Sequence, residues 1–163
     1  MKCIYIGAGE DRYDNCLRLD VRESIKPDIL WDLEKLPLPF KDEEFDLIYA
    51  RDVIEHITWR KTEALLKELY RILKHGGKIY IQVPDLEAIA KKVILDPNFC
   101  YNDLCGWKAI SYWVYGGQDY QENTHKAGFT IPTLKKLLES LGFQVEDIHN
   151  DGGTNIQCWA RKL

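Results

Sequence analysis

Cys3-Ile4-Tyr5-Ile6-Gly7-Ala8-Gly9-Glu10-Asp11 is a short apolar run that breaks into Gly-x-Gly and then turns acidic. A strand that ends in glycines lets backbone N–H groups approach a ligand closely, as at the carboxyl edge of open α/β sheets that bind nucleotides. A second strand candidate, Cys16-Leu17-Arg18-Leu19-Asp20-Val21, follows Ile6 after only nine intervening residues, 7–15. A βαβ crossover needs about a dozen residues including its helix. The spacing therefore predicts a first crossover helix that is shortened or missing.

Outward from this start, strands and helices alternate. Asp28-Ile29-Leu30-Trp31 leads into Leu36-Pro37-Leu38-Pro39-Phe40, whose two prolines specify a rigid loop. Residues 44–50 read as a buried parallel strand and residues 51–56 leave its carboxyl end. Leu65, Leu66, Leu69, Ile72 and Leu73 recur at helical spacing over 58–74, with His75-Gly76-Gly77 as a stop, and a strand follows at 78–83. Residues 86–128 interrupt the alternation with a stretch dense in Phe, Tyr and Trp, read as an insertion over the ligand edge. Thr130 and Pro132 open a last helix, and Asn150-Asp151-Gly152-Gly153-Thr154 turns a terminal hairpin. The order predicts an α/β fold: a doubly wound, mostly parallel, Rossmann-like sheet with an antiparallel last strand, as one domain over 1–163.

Composition narrows the partners. The 163 residues are 45% hydrophobic and 29% charged with a formal net charge of −4, so there is no global attraction to nucleic acid or an anionic membrane. No apolar run approaches the ~20 residues that span a bilayer. Five cysteines form an odd set without a CxxC pair or zinc-finger spacing, which predicts neither a disulfide framework nor a structural metal, and a cytoplasmic setting.

A dinucleotide site wants G-x-G-x-x-G opening a helix that faces the pyrophosphate. Here the third glycine is absent, Glu10 and Asp11 occupy the loop, and Asp20 and Asp32 are expected at the same edge. Such a site suits a ligand with ribose hydroxyls and positive charge but no phosphate. Together with the L-P-F loop and the Glu55-His56 pair, these motifs resemble the class I S-adenosylmethionine-dependent methyltransferases, in the style of the small methyltransferase type 11 group. The resemblance implies that Gly7, Ala8 and Gly9 surround the methionine part of S-adenosylmethionine. It implies that Asp20 holds the ribose, that Asp32 and Leu33 read the adenine, and that Arg51 and Asp52 close over the cofactor, with S-adenosylhomocysteine as product.

The acceptor side is read from residue chemistry. His125 and His56 are candidate general bases, since an imidazole titrates near neutral pH. Trp107, Tyr112 and Tyr115 are candidates to line a pocket for a small-molecule methyl acceptor. The same aromatic residues equally suit a satellite core or a homodimer interface. No metal-ligand spacing is recognised. The expected activity is methyl transfer to oxygen, nitrogen or carbon; the alternatives are a catalytically inactive binding or regulatory subunit with the same fold and, less favoured, an NAD-dependent oxidoreductase.

Overall fold

The computed structural model describes residues 1–13 and 15–163. Seven strands form one sheet: β1 (Cys3–Ile6), β2 (Cys16–Asp20), β3 (Ile29–Leu30), β4 (Phe45–Arg51), β5 (Leu73–Pro84), β8 (Phe143–Asn150) and β9 (Asn155–Lys162). Their spatial order is β3-β2-β1-β4-β5-β9-β8. The first five run parallel, and β9 lies antiparallel between β5 and β8. A short ribbon, β6 (Cys100–Tyr101) and β7 (Leu104–Cys105), sits inside residues 86–128. The expected sheet, with its antiparallel strand and terminal hairpin, is thus present.

Four helices accompany it: α1 (Trp59–Ile72), α2 (Leu86–Leu95), α3 (Trp107–Tyr115) and α4 (Ile131–Ser140). Among the described residues no helix joins β1 to β2, in agreement with the nine-residue spacing. Between β2 and β3 there is only a single 3-10 turn, Glu23–Ile25, with no buried residue. The loss of crossover helices therefore extends beyond the first. Leu65, Leu66 and Leu69 of α1 and Leu134 and Leu138 of α4 pack on Ile4, Ile48, Ile79 and Ile81, so the main core lies on one face of the sheet.

The opposite face carries Tyr5, Tyr49, Tyr80 and Trp159. Tyr13, from the β1–β2 connection, stacks on Tyr49 with ring centroids 4.6 Å apart and planes within 8°. Tyr80 and Trp159 continue the aromatic row at 5.1 Å.

Two local expectations change. Helix α1 stops at Ile72, and β5 already begins at Leu73, running through Gly76 and Gly77. The β4–β5 register jumps from Phe45↔Leu73 to Leu47↔Lys78, so the residues between bulge out, with Gly76 at φ 74°. The cysteines are paired, contrary to expectation: Cys3 with Cys16 and Cys100 with Cys105, leaving Cys158 buried and free. Register explains both. Cys3 and Cys16 lie opposite each other on β1 and β2, and Cys100 and Cys105 lie opposite across the ribbon. Sequence spacing does not display either adjacency. Among the described residues no helix is long and apolar enough to cross a membrane.

Candidate functional site

A cavity of about 290 Å³ opens at the carboxyl ends of β1, β2 and β4, lined by Gly7, Asp20, Asp32, Leu33, Asp52 and His56 among others. Gly7 has φ 61°, and a Cβ there would lie 2.2 Å from Val53 Cγ2. Glycine is required at this turn because both the backbone conformation and the contact with Val53 exclude a side chain. Asp20 is buried and organises the adjoining loop. Its Oδ2 accepts from Gly9 N at 2.9 Å and its Oδ1 from Arg22 N at 2.9 Å. A carboxylate has about four lone-pair positions, so further acceptor capacity remains for an incoming hydroxyl.

Asp32 uses Oδ1 to accept from Glu34 N at 2.9 Å, which leaves Oδ2 to a ligand donor. Tyr120 reaches over the cavity from residues 86–128, with the Arg22 guanidinium 4.5 Å from its ring centroid. Besides the three aspartates, Glu34 and Glu122 face the cavity, whereas its basic groups are Arg22 and Lys126. Arg22 is committed to Asp20, and Lys126 to Glu34 at 3.6 Å. The cavity is therefore acidic, and among the described residues no helix N-terminus follows β1 to cradle a phosphate. A cationic nucleoside fits this set of acceptors.

The acidic loop acts differently from expectation. Asp11 turns away from the cavity, accepts from Tyr5 Oη at 3.2 Å and pairs with Arg51 at 3.5 Å. Neither Glu10 nor Asp11 lines the cavity, so its acidity comes from Asp20, Asp32, Glu34, Asp52 and Glu122. Ala8 is buried behind the loop, and Arg51 lines the neighbouring cavity.

That second cavity, about 310 Å³, shares Asp52 and His56 with the first and is otherwise bounded by Glu55, Gln82, Tyr112, Trp113 and His125, among others. Asp52 adopts φ 52°, a left-handed conformation costing a non-glycine residue about 1 kcal/mol or more. Its N–H donates to Gln82 O at 2.9 Å and its carboxylate accepts from Gln82 Nε2 at 3.0 Å, contacts that hold it between the cavities. Burial pushes its pKa up.

His56 and His125 stand edge to face with ring centroids 5.0 Å apart. Each engages a backbone carbonyl through Nδ1, His56 with Thr124 O and His125 with Trp113 O, both at 3.1 Å. That contact makes Nδ1 the protonated nitrogen in the neutral ring and leaves Nε2 as a lone pair. Burial, then the neighbouring His125, pulls the His56 pKa down to about 4; burial also lowers His125. Glu55 is buried, and burial followed by the nearby Asp52 pushes its pKa well up.

Chain segments distant in sequence build this junction. Lys126 N and Ala127 N donate to Glu55 O at 2.7 and 3.1 Å, and His125 N donates to Tyr115 O at 3.0 Å. Gly116 admits that approach, since a Cβ there would lie 2.7 Å from Asn123 O. Of the proposed acceptor residues, Tyr112 lines the second cavity, while Trp107 and Tyr115, 72% and 57% exposed, line neither. Sequence reasoning missed Glu55 as a site acid, although the Glu-His pair was in view, and missed Val53, Arg22 and Tyr120, which only folding brings to the cavity.

Residues 11–81 match a family described as a methyltransferase domain. Across 99% of this chain and 86% of its own, an S-adenosylmethionine-dependent methyltransferase of Archaeoglobus fulgidus has the same fold at TM-score 0.66 and 16% identity. The chain has the class I methyltransferase fold. A Burkholderia thailandensis 1,6-didemethyltoxoflavin N1-methyltransferase, with its substrate and S-adenosylhomocysteine bound, shares this methyltransferase fold at TM-score 0.64 and 15% identity over 99% of this chain and 70% of its own. The ubiquinone/menaquinone biosynthesis C-methyltransferase UbiE of Chromobacterium violaceum is 30% identical over 129 residues, covering 77% of this chain and 50% of that protein. An uncharacterised protein of Methanocaldococcus jannaschii is 39% identical over 61 residues, and the chain spans only 26% of its length.

Proposed function

We propose that this protein transfers the methyl group of S-adenosylmethionine to a small-molecule acceptor. The observation that carries the reading is the acidic cavity at the Gly7 turn: it holds Asp20 and Asp32, the carboxylates to which the resemblance assigns the ribose and adenine, and among the described residues no helix N-terminus follows β1 to hold a pyrophosphate. The cofactor supplies a methyl carbon activated by its sulfonium. Asp20 accepts from the ribose hydroxyls, Asp32 and Leu33 engage the adenine, and Gly7, Ala8 and Gly9 pass beside the amino-acid part. Asp52 and Arg51 stand where donor meets acceptor. The remaining work is alignment of the two reactants and exclusion of water.

Residues 86–128 act as the acceptor lid, with Tyr112 against the acceptor and Tyr120 closing over the cofactor. Where the acceptor is a hydroxyl, it faces the His56–His125 junction. The relatives' names span carbon and nitrogen acceptors, from UbiE to a phosphoethanolamine N-methyltransferase of Caenorhabditis elegans, so they support the reaction type rather than one substrate. A fold that binds the cofactor without transferring its methyl group is the second reading, favoured by the lost crossover helices.

Calorimetry with S-adenosylhomocysteine and NADH tests the cofactor reading. Binding of the first at one per chain, with no heat from NADH, is expected; binding of NADH alone would overturn it. Asp32→Ala should weaken S-adenosylhomocysteine about tenfold, the usual consequence of losing a charged hydrogen bond. Radiolabelled methyl transfer from S-adenosylmethionine into an extract of small metabolites separates the enzyme from the inactive binder.

A further inference from the structure

The junction between the two cavities holds more than a pair of candidate bases. One ligand-capable atom from each of Glu55, His56 and His125 lies within 4.8 Å of the others. Both imidazoles are fixed through Nδ1 by backbone carbonyls, which aims their Nε2 lone pairs, and His56 Nε2 stands 3.9 Å from Glu55 Oε1. Metal-binding histidines are held by their second nitrogen in this way. Glu55 adds an independent observation. Its side chain is 3% exposed, and Oε2 is a buried oxygen without a hydrogen-bond partner. A buried carboxyl oxygen with an empty lone pair is costly unless something pairs with it, and a cation between the three groups would do so.

We infer that Glu55, His56 and His125 form a binding site for a divalent transition-metal ion at the acceptor end of the cofactor cavity. Two imidazole nitrogens and one carboxylate oxygen suit zinc, iron(II), cobalt(II) or manganese(II) more than calcium or magnesium, whose shells are built mainly of oxygen. Three protein ligands leave coordination positions open toward the second cavity, the arrangement of a site that takes substrate. Metal–nitrogen bonds of ~2.1 Å put two ligands of one ion at most ~4.2 Å apart, so the observed spacing closes with a side-chain adjustment of under about 1 Å.

The consequence for chemistry rests on the methyl-transfer reading: the acceptor is an oxygen nucleophile. Its hydroxyl oxygen takes an open position on the ion and releases its proton to solvent, because a divalent ion stabilises the resulting anion. That oxygen attacks the methyl carbon; the new C–O bond forms as the C–S bond breaks, and the bonding pair of the latter stays on sulfur. No change of metal oxidation state is involved. His56 and His125 then serve as ligands rather than as general bases.

The site is tested with cobalt(II) and zinc(II) on chain first stripped with a chelator, following visible ligand-field bands and binding heat. One ion per chain with bands of nitrogen and oxygen ligation is expected. Glu55→Gln and His125→Ala should each weaken binding tenfold or more, whereas His149→Ala, in the surface pair with Asp147, should not. S-adenosylhomocysteine titration of the same variants reports whether they fold and whether the cofactor site survives. Failure of the wild-type chain to bind either ion, or binding unchanged by Glu55→Gln and His125→Ala, would overturn the metal site while leaving the cofactor reading standing. Loss of S-adenosylhomocysteine binding by wild type would overturn the latter alone.

Discussion

The two faces of the sheet solve the same problem differently. On one, Ile4, Ile48, Ile79 and Ile81 are fully buried beneath α1 and α4. On the other, no crossover helix among the described residues covers Tyr49, Tyr80 and Trp159, and they lean on one another instead, with Tyr13 as a cover. Tyrosine and tryptophan suit that position because a large ring buries area while its polar tip stays in water. Gln82 and Gln157 join the row, and Gln157 Nε2 donates to Gln82 Oε1 at 3.2 Å. The contrast teaches that stability and ligand binding are supplied from different sides. The helix-covered face anchors the strands, and only their carboxyl edge need be kept in place for the site.

Adjacent residues of β4 break or sharpen this contrast most directly. Ile48→Asp, which buries an unpaired carboxylate under α1, is expected to cost about 4 kcal/mol or more and to unfold much of the protein at room temperature. Next in size is the Cys3–Cys16 bridge, which joins β1 to β2 where the crossover helix is lost. Replacing both cysteines by alanine should lower stability by about 2 kcal/mol in urea titrations of the oxidised protein. Tyr49→Gln, one residue from Ile48 but on the uncovered face, should cost about 1 kcal/mol, the scale of its aromatic contacts. Equal losses for Ile48→Asp and Tyr49→Gln would mean that both faces are packed, contrary to the arrangement described.

Much of this was legible in the order of residues. The Gly7 turn, the brief passage to β2, the terminal hairpin and the acids at Asp20 and Asp32 all follow from local rules about turns, spacing and alternation. The uncovered face is also written in the sequence. Lys78-Ile79-Tyr80-Ile81-Gln82-Val83 and Asn155-Ile156-Gln157-Cys158-Trp159-Ala160 alternate strictly, which is the pattern of strands covered on one face. Reading residues 44–50 as a buried strand overlooked the same alternation at Ile48, Tyr49 and Ala50. What could not be read locally were contacts made by register and by long-range approach. The cysteine pairs depend on strand register, and the Glu55–His56–His125 group depends on residues 123–127 folding back to Glu55 past Gly116.

A crystal structure of the protein grown with S-adenosylhomocysteine tests the central claim. The account predicts the adenine beside Asp32 and Leu33, the ribose hydroxyls on Asp20, and the sulfur directed to the junction of Asp52 and His56. A ligand seated on the aromatic row of Tyr49, Tyr80 and Trp159, with the Gly7 cavity empty, would contradict it.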